Sequence, residues 1–230
     1  MNRLFRELFA FIRHPRLLTP SGLAADGAWR DLGMLLALHV FVLLGLFAPA
    51  LKAWQSSFGL PSPDAFGKVR PGLLIPMVVL VAPVLEEMAF RGWMRGRPRA
   101  LWLLLCGAVA VALVAMVSHH VAETATSLGF IAALVAGGAG WFVLRRRVAA
   151  PGWYVQAFPV VFWLSASAFA LSHMMNYPRF SWPLVAMVLP QLWTGLLLGF
   201  VRLRIGLPAS MLVHGCANAV AISVALALGG

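Results

Sequence analysis

Of the chain's seven carboxylates, Glu7, Asp26, Asp31, Asp64, Glu86, Glu87 and Glu123, only the adjacent pair Glu86-Glu87 lies well inside an apolar stretch, VAPVLEEMAFRGW. Ionised groups in such surroundings are expensive to keep, and two in succession point to use. Neighbours on a helix point about 100° apart, so the two glutamates cannot serve one cavity equally. Glu87 and Arg91 are spaced i, i+4 with the acid first, the favoured order for a helical ion pair. That pairing commits Glu87 to structure and leaves Glu86 without a local partner, free for general-base work on water. The competing use of the pair is two ion pairs between helices.

Three of the six histidines, His39, His173 and His214, also fall in apolar stretches. His214 and Asn218 are four residues apart in VHGCANA, so their donors share one helix face and can converge on a developing oxyanion. An ordinary polar contact between helices is the alternative. His173 follows Phe169 by four residues in FALSHMM, which puts ring and imidazole on one face, where the histidine can share a proton with a carboxylate or make a core hydrogen bond. His39 is expected to bond another helix. His119 and His120, with Glu123 close by, have metal-ligand residue types but fit an outer interface better. Cys106 and Cys216 read as free thiols in apolar segments, and Cys216 points away from the His214/Asn218 face. No Asp lies in an apolar stretch, which argues against a paired-aspartate intramembrane protease. Neither HExxH nor GxSxG occurs, so a zincin helix and a serine nucleophile elbow are unsupported.

The elements that must position these residues are membrane helices. Hydrophobic residues make up 61% of the chain and charged residues 11%, too few to cover a soluble domain of 230 residues; the mean hydropathy is +0.87. Seven apolar segments, at about 32–50, 71–90, 101–118, 127–144, 156–176, 183–201 and 206–228, approach the length needed to span a bilayer. Most are flanked by Trp or Tyr, and small residues such as Gly195 and Gly199 suit close helix contacts. The fold class expected is therefore all-α, a transmembrane bundle of about seven spans. The segment 1–30 alternates Arg3, Arg6, Arg13 and Arg16 with Leu and Phe, which predicts an interfacial helix; 31–230 forms one transmembrane domain. With the N-terminus cytoplasmic, only Lys52, Lys68, Arg70 and Arg179 of the 18 basic residues fall outside, the distribution that orients membrane proteins. The net charge of +11 then belongs to cytoplasmic loops at lipid headgroups, with no nucleic-acid partner implied. The preference for arginine over lysine accompanies GC-rich bacterial genomes, so a bacterial cytoplasmic membrane is expected.

Glu86-Glu87-Met88-Ala89-Phe90-Arg91, then Phe169 to His173, then His214 to Asn218 resemble, in order, the EExxxR, FxxxH and HxxxN/D motifs of the CPBP family, the Abi or CAAX-protease-like intramembrane endopeptidases. The resemblance runs from position 71 onward. It implies that Glu86 activates water with help from His173, that His214 and Asn218 form the oxyanion hole, and that Glu87, Arg91 and Phe169 support them. It further implies peptide hydrolysis with no metal, no cofactor and no acyl-enzyme, on a membrane-associated peptide or protein such as a precursor or C-terminal signal. Residues 92–168 exceed the family's usual short connection and leave room for an extra helical hairpin at about 100–147. A fifth span starting near Trp153 puts His173 toward the outer end of its helix and Glu86 toward the inner end of its own. The two meet only if that helix starts deeper, tilts or is displaced. Two other readings fit the same residues: a non-catalytic adaptor or immunity protein retaining the constellation, and a haem or metal protein using His173 and His214.

Overall fold

The computed structural model describes residues 3–63 and 70–227; Asp64 and Lys68 lie outside them. Among the described residues every regular element is helical. The order is α1 (Arg3–Arg13), α2 (Ala28–Val40), a π-helical segment (Phe41–Phe47), α3 (Ala48–Phe58), α4 (Pro71–Pro76), a second π segment (Met77–Val81) and α5 (Ala82–Arg91). Then come α6 (Pro98–Ser118), α7 (Glu123–Leu144), α8 (Gly152–Ser172), a 3-10 turn (His173–Asn176), α9 (Leu184–Met187), α10 (Leu189–Arg204) and α11 (Leu207–Ala227). Among the described residues seven helical stretches are long and apolar enough to cross a membrane: Ala28–Phe58, Gly72–Arg91, Pro98–Ser118, Glu123–Leu144, Gly152–Asn176, Leu184–Arg204 and Leu207–Ala227. The chain is an integral membrane protein, and the number of spans agrees with the hydropathy pattern. The first span is longer than its apolar run and ends at Gly59, whose backbone is left-handed.

The described chain divides into two compact units, residues 1–91 with 158–230, and residues 92–157. The second unit contains the predicted hairpin, α6 and α7, whose close packing is fixed by the Trp102 indole donating to the Ala136 carbonyl at 2.8 Å. In the same unit the Tyr154 hydroxyl donates to the Met94 carbonyl at 3.0 Å.

The first unit is built around α10. Its span is 61% buried, against 33% for those of α8 and α11 and 6% for α6. Leu197, Leu198, Val201 and Leu203 are fully enclosed. Gly199 lets α8 come close, since a Cβ there would lie 2.6 Å from the Phe162 ring. The predicted N-terminal helix forms as α1, with Leu4, Leu8 and Phe11 on one face, and that face packs on protein. Phe11 meets Phe162 edge-on at 5.1 Å and Phe200 at 5.3 Å. Arg204 ties the assembly by donating to both Glu7 and Asp31.

Both π segments have the same local cause. In the second, the Ala82 N–H reaches back five residues to the Met77 carbonyl. In the first, the Ala48 N–H reaches the Leu43 carbonyl in the same way. In each case the next residue is a proline, Pro49 or Pro83, which has no N–H to continue the ladder. Each π turn therefore ends with one carbonyl lacking its helical donor.

Candidate active site

The site is assembled in the first unit from α5, the α8 end, α10 and α11. On α5, Glu87 is fully buried and its Oε1 accepts from Arg91 Nη1 at 2.7 Å, the i, i+4 pair expected from spacing. Arg91 is equally buried. Its guanidinium lies 4.1 Å from the centre of the Phe169 ring, a desolvated cation–π contact. The Arg202 Nε donates to the Arg91 carbonyl at 3.0 Å and fixes the helix end. Glu86 points elsewhere, with 31% of its side chain exposed. Two adjacent carboxylates thus occupy different environments, as the helical angle between them requires.

Phe169 explains the FxxxH spacing. Its ring packs edge-on against Phe90 at 5.3 Å and lies 4.8 Å from the His173 ring and 5.9 Å from the His214 ring. His173 Nδ1 stands 2.8 Å from the Phe169 carbonyl. A carbonyl only accepts, so Nδ1 is the donor here, and in the neutral ring Nε2 keeps its lone pair.

On α11, the His214 imidazole reaches both glutamates. Nδ1 is 3.1 Å from Glu87 Oε1 and Nε2 is 3.6 Å from Glu86 Oε2. Sequence spacing did not foresee that contact, because it couples residues 127 positions apart. One turn on, Asn218 Nδ2 donates to the Val78 carbonyl at 2.9 Å. Gly215 lies between these residues, and a Cβ there would come within 2.6 Å of the Val79 carbonyl, so only glycine allows α11 this close to the π segment.

Glu86, Phe169, His173, His214 and Asn218 line one cavity of about 510 Å³. Leu43, Phe47, Leu51 and Val78 give it apolar walls; Asn176, Tyr177, Gln191 and Thr194 add polar groups that no sequence motif had marked. Gln191 Oε1 is buried without a hydrogen-bond partner. Glu86 and His173 line the same cavity, from α5 and from the end of α8. The Ser165 hydroxyl donates to the Phe90 carbonyl at 2.8 Å, so α8 has already run about three turns when it draws level with the end of α5.

The remaining candidates lie elsewhere. His39 is buried, and its Nδ1 has no hydrogen-bond partner. The His120 Nδ1 lies 2.5 Å from Glu123 in an exposed turn. Cys216 lines a separate apolar groove with Val79, Val84 and Leu212, on the face of α11 away from the cavity. Among the described residues no three His, Cys, Asp or Glu side chains form a metal-holding group.

Fold and site define a polytopic helical membrane protein with an open carboxylate beside a buried ion pair and two histidines. Residues 141–220 match the family model of the type II CAAX prenyl endopeptidase Rce1-like proteins, which places the resemblance within the CPBP family. The matched stretch includes Phe169, His173, His214 and Asn218; the glutamates precede it. The similarity is to CAAX-type intramembrane proteases, and a membrane-embedded peptide hydrolase is the class it supports. No curated protein and no solved structure matches the chain.

Proposed function

We propose that the chain is a glutamate-type endopeptidase that hydrolyses a membrane-associated peptide or protein within the bilayer. The observation that carries this reading is the division of labour between the two glutamates around the 510 Å³ cavity. Glu87 is held by Arg91 and His214, whereas Glu86 opens to the space that His173 and Asn218 also line.

In the reaction, Glu86 takes a proton as water adds to the scissile carbonyl carbon. The Nε2 of His173, kept as an acceptor by the bond at Nδ1, orients that water. The carbonyl oxygen gains the negative charge, which the second Asn218 N–H stabilises together with His214, an imidazolium in this scheme because its Nδ1 donates to the Glu87 carboxylate while its Nε2–H serves the oxyanion. The C–N bond then breaks, the proton passes to the departing amine, and a carboxylic acid and an amine leave. The 3.6 Å between His214 Nε2 and Glu86 is too long for a strong hydrogen bond, so the Nε2 donor can serve the oxyanion while Nδ1 stays on Glu87. No metal or cofactor enters this scheme. Basic loop placement supports a cytoplasmic N-terminus in a bacterial inner membrane, with precursor peptides or C-terminal sorting signals as substrates.

The test compares protein termini in membrane and exported fractions of cells carrying the wild-type or the Glu86→Gln chain. New termini confined to the wild type are the expected result, unchanged by EDTA in the purified reaction. Identical termini in both strains would overturn the proposal.

A further inference from the structure

Asn218 holds a carbonyl that the helix ladder itself has given up. The π register established by the bond from the Ala82 N–H to the Met77 carbonyl assigns the Val78 carbonyl to the N–H of residue 83. Residue 83 is proline, and that donor does not exist. A carbonyl left bare inside a membrane protein is costly, and Asn218 Nδ2 satisfies it at 2.9 Å. An asparagine amide has an acceptor end and a donor end. Facing a carbonyl, only the donor end is tolerated, so the amide is locked against a half-turn that would bring Oδ1 to the same place. One N–H is used on Val78 and the second remains for the cavity that both residues line.

We propose that Pro83 is a positioning residue for Asn218: by withholding a backbone N–H from Val78, it keeps the Asn218 amide oriented with nitrogen inward. An unheld amide would populate the flipped state, placing an acceptor against the developing oxyanion. This deepens the reading of Asn218 as an oxyanion donor and rests on it for its catalytic consequence, but the linkage itself is independent of any substrate.

Two measurements separate these levels. The first is thermal unfolding in detergent of the wild type, Pro83→Ala, Asn218→Ala and the double variant. Alanine at 83 supplies the missing N–H, which matters most where Asn218 no longer reaches Val78. Pro83→Ala should therefore raise the midpoint by about 3 °C more in the Asn218→Ala background than in the wild type. Equal shifts in both backgrounds would overturn the proposal. The second uses a fluorogenic peptide cut by the wild type and not by Glu86→Gln. Pro83→Ala should lower kcat about tenfold with KM within about twofold. Lactate at position 83, which has the alanine side chain and an ester oxygen in place of N–H, should restore kcat. A lactate variant as slow as Pro83→Ala would show that the proline ring matters and the missing donor does not. Should Pro83→Ala fail to accumulate, the lactate variant alone decides: near-normal kcat supports the proposal and a tenfold loss overturns it. If the wild type cuts no peptide, the protease reading fails, while the thermal comparison still decides whether Pro83 holds the amide.

Discussion

The imidazole of His214 stands between two consecutive glutamates, its Nδ1 3.1 Å from Glu87 and its Nε2 3.6 Å from Glu86. Since Glu87 also accepts from Arg91, the order Arg91, Glu87, His214, Glu86 forms one chain of alternating partners. The buried ion pair is thereby connected to the cavity. It fixes the ring that faces Glu86, so damage at Arg91 should be felt at the reacting end.

Replacing Glu86 by Gln should abolish cleavage, a loss of at least about 10²–10⁴, because an amide cannot take a proton from water. Its side chain is partly exposed and has no close hydrogen bond, so folding should be unaffected. The check is peptide turnover alongside thermal unfolding of the same preparation. Wild-type turnover by this variant would remove Glu86 from the mechanism.

Glu87→Ala and Arg91→Ala should each destabilise the fold by about 3–5 kcal/mol, since each strands a fully buried charge. The double change to Glu87→Leu and Arg91→Leu should recover much of that stability and none of the activity, because His214 then loses its anchor. Folded yield and unfolding midpoints in detergent measure the first part, turnover the second. Single variants as stable as the wild type would show that the pair is dispensable.

Much of this was legible in the sequence, for identifiable reasons. The spans follow from hydropathy, and the Glu87–Arg91 and Phe169–His173 relations follow from the i, i+4 geometry of a helix, which is local. The bridge from His214 to both glutamates, the seat of Asn218 on Val78 and the polar wall of Gln191 and Thr194 join residues far apart in the chain. They depend on the rotation and depth of packed helices, which spacing within one helix cannot specify. His39 shows the converse: burial in a span follows from its apolar context, but which ring nitrogen finds a partner does not, and its Nδ1 has none.

Gly215→Ala should lower both stability and activity. The added methyl would meet the Val79 carbonyl at 2.6 Å, and backbone on that side cannot give way as a side chain could. Overpacking of this kind costs about 1–3 kcal/mol. Moving α11 outward would also lengthen the contacts of His214 and Asn218 on either side of Gly215. Turnover should fall more than the fraction folded, and turnover that merely tracks folded protein would argue that the spacing of α11 is not critical.

The sharpest prediction concerns Asn218, whose amide donates to Val78 and lines the cavity at once. An oxyanion donor acts on charge that develops in the transition state, so its loss lowers kcat more than it raises KM. Asn218→Ala should reduce kcat by about 10²–10³ at every pH, the range for removal of one such donor. Asn218→Asp behaves differently, because a carboxylate there faces the Val78 carbonyl as one acceptor against another. Only its protonated form donates, and that form grows as pH falls. Activity of Asn218→Asp should therefore be low at neutral pH and rise on acidification. The family pattern, which admits Asp at this position, agrees with partial activity. The measurement is kcat and KM against pH for wild type and both variants. If both variants bind substrate weakly yet turn over normally once saturated, Asn218 holds the substrate and does not stabilise the oxyanion.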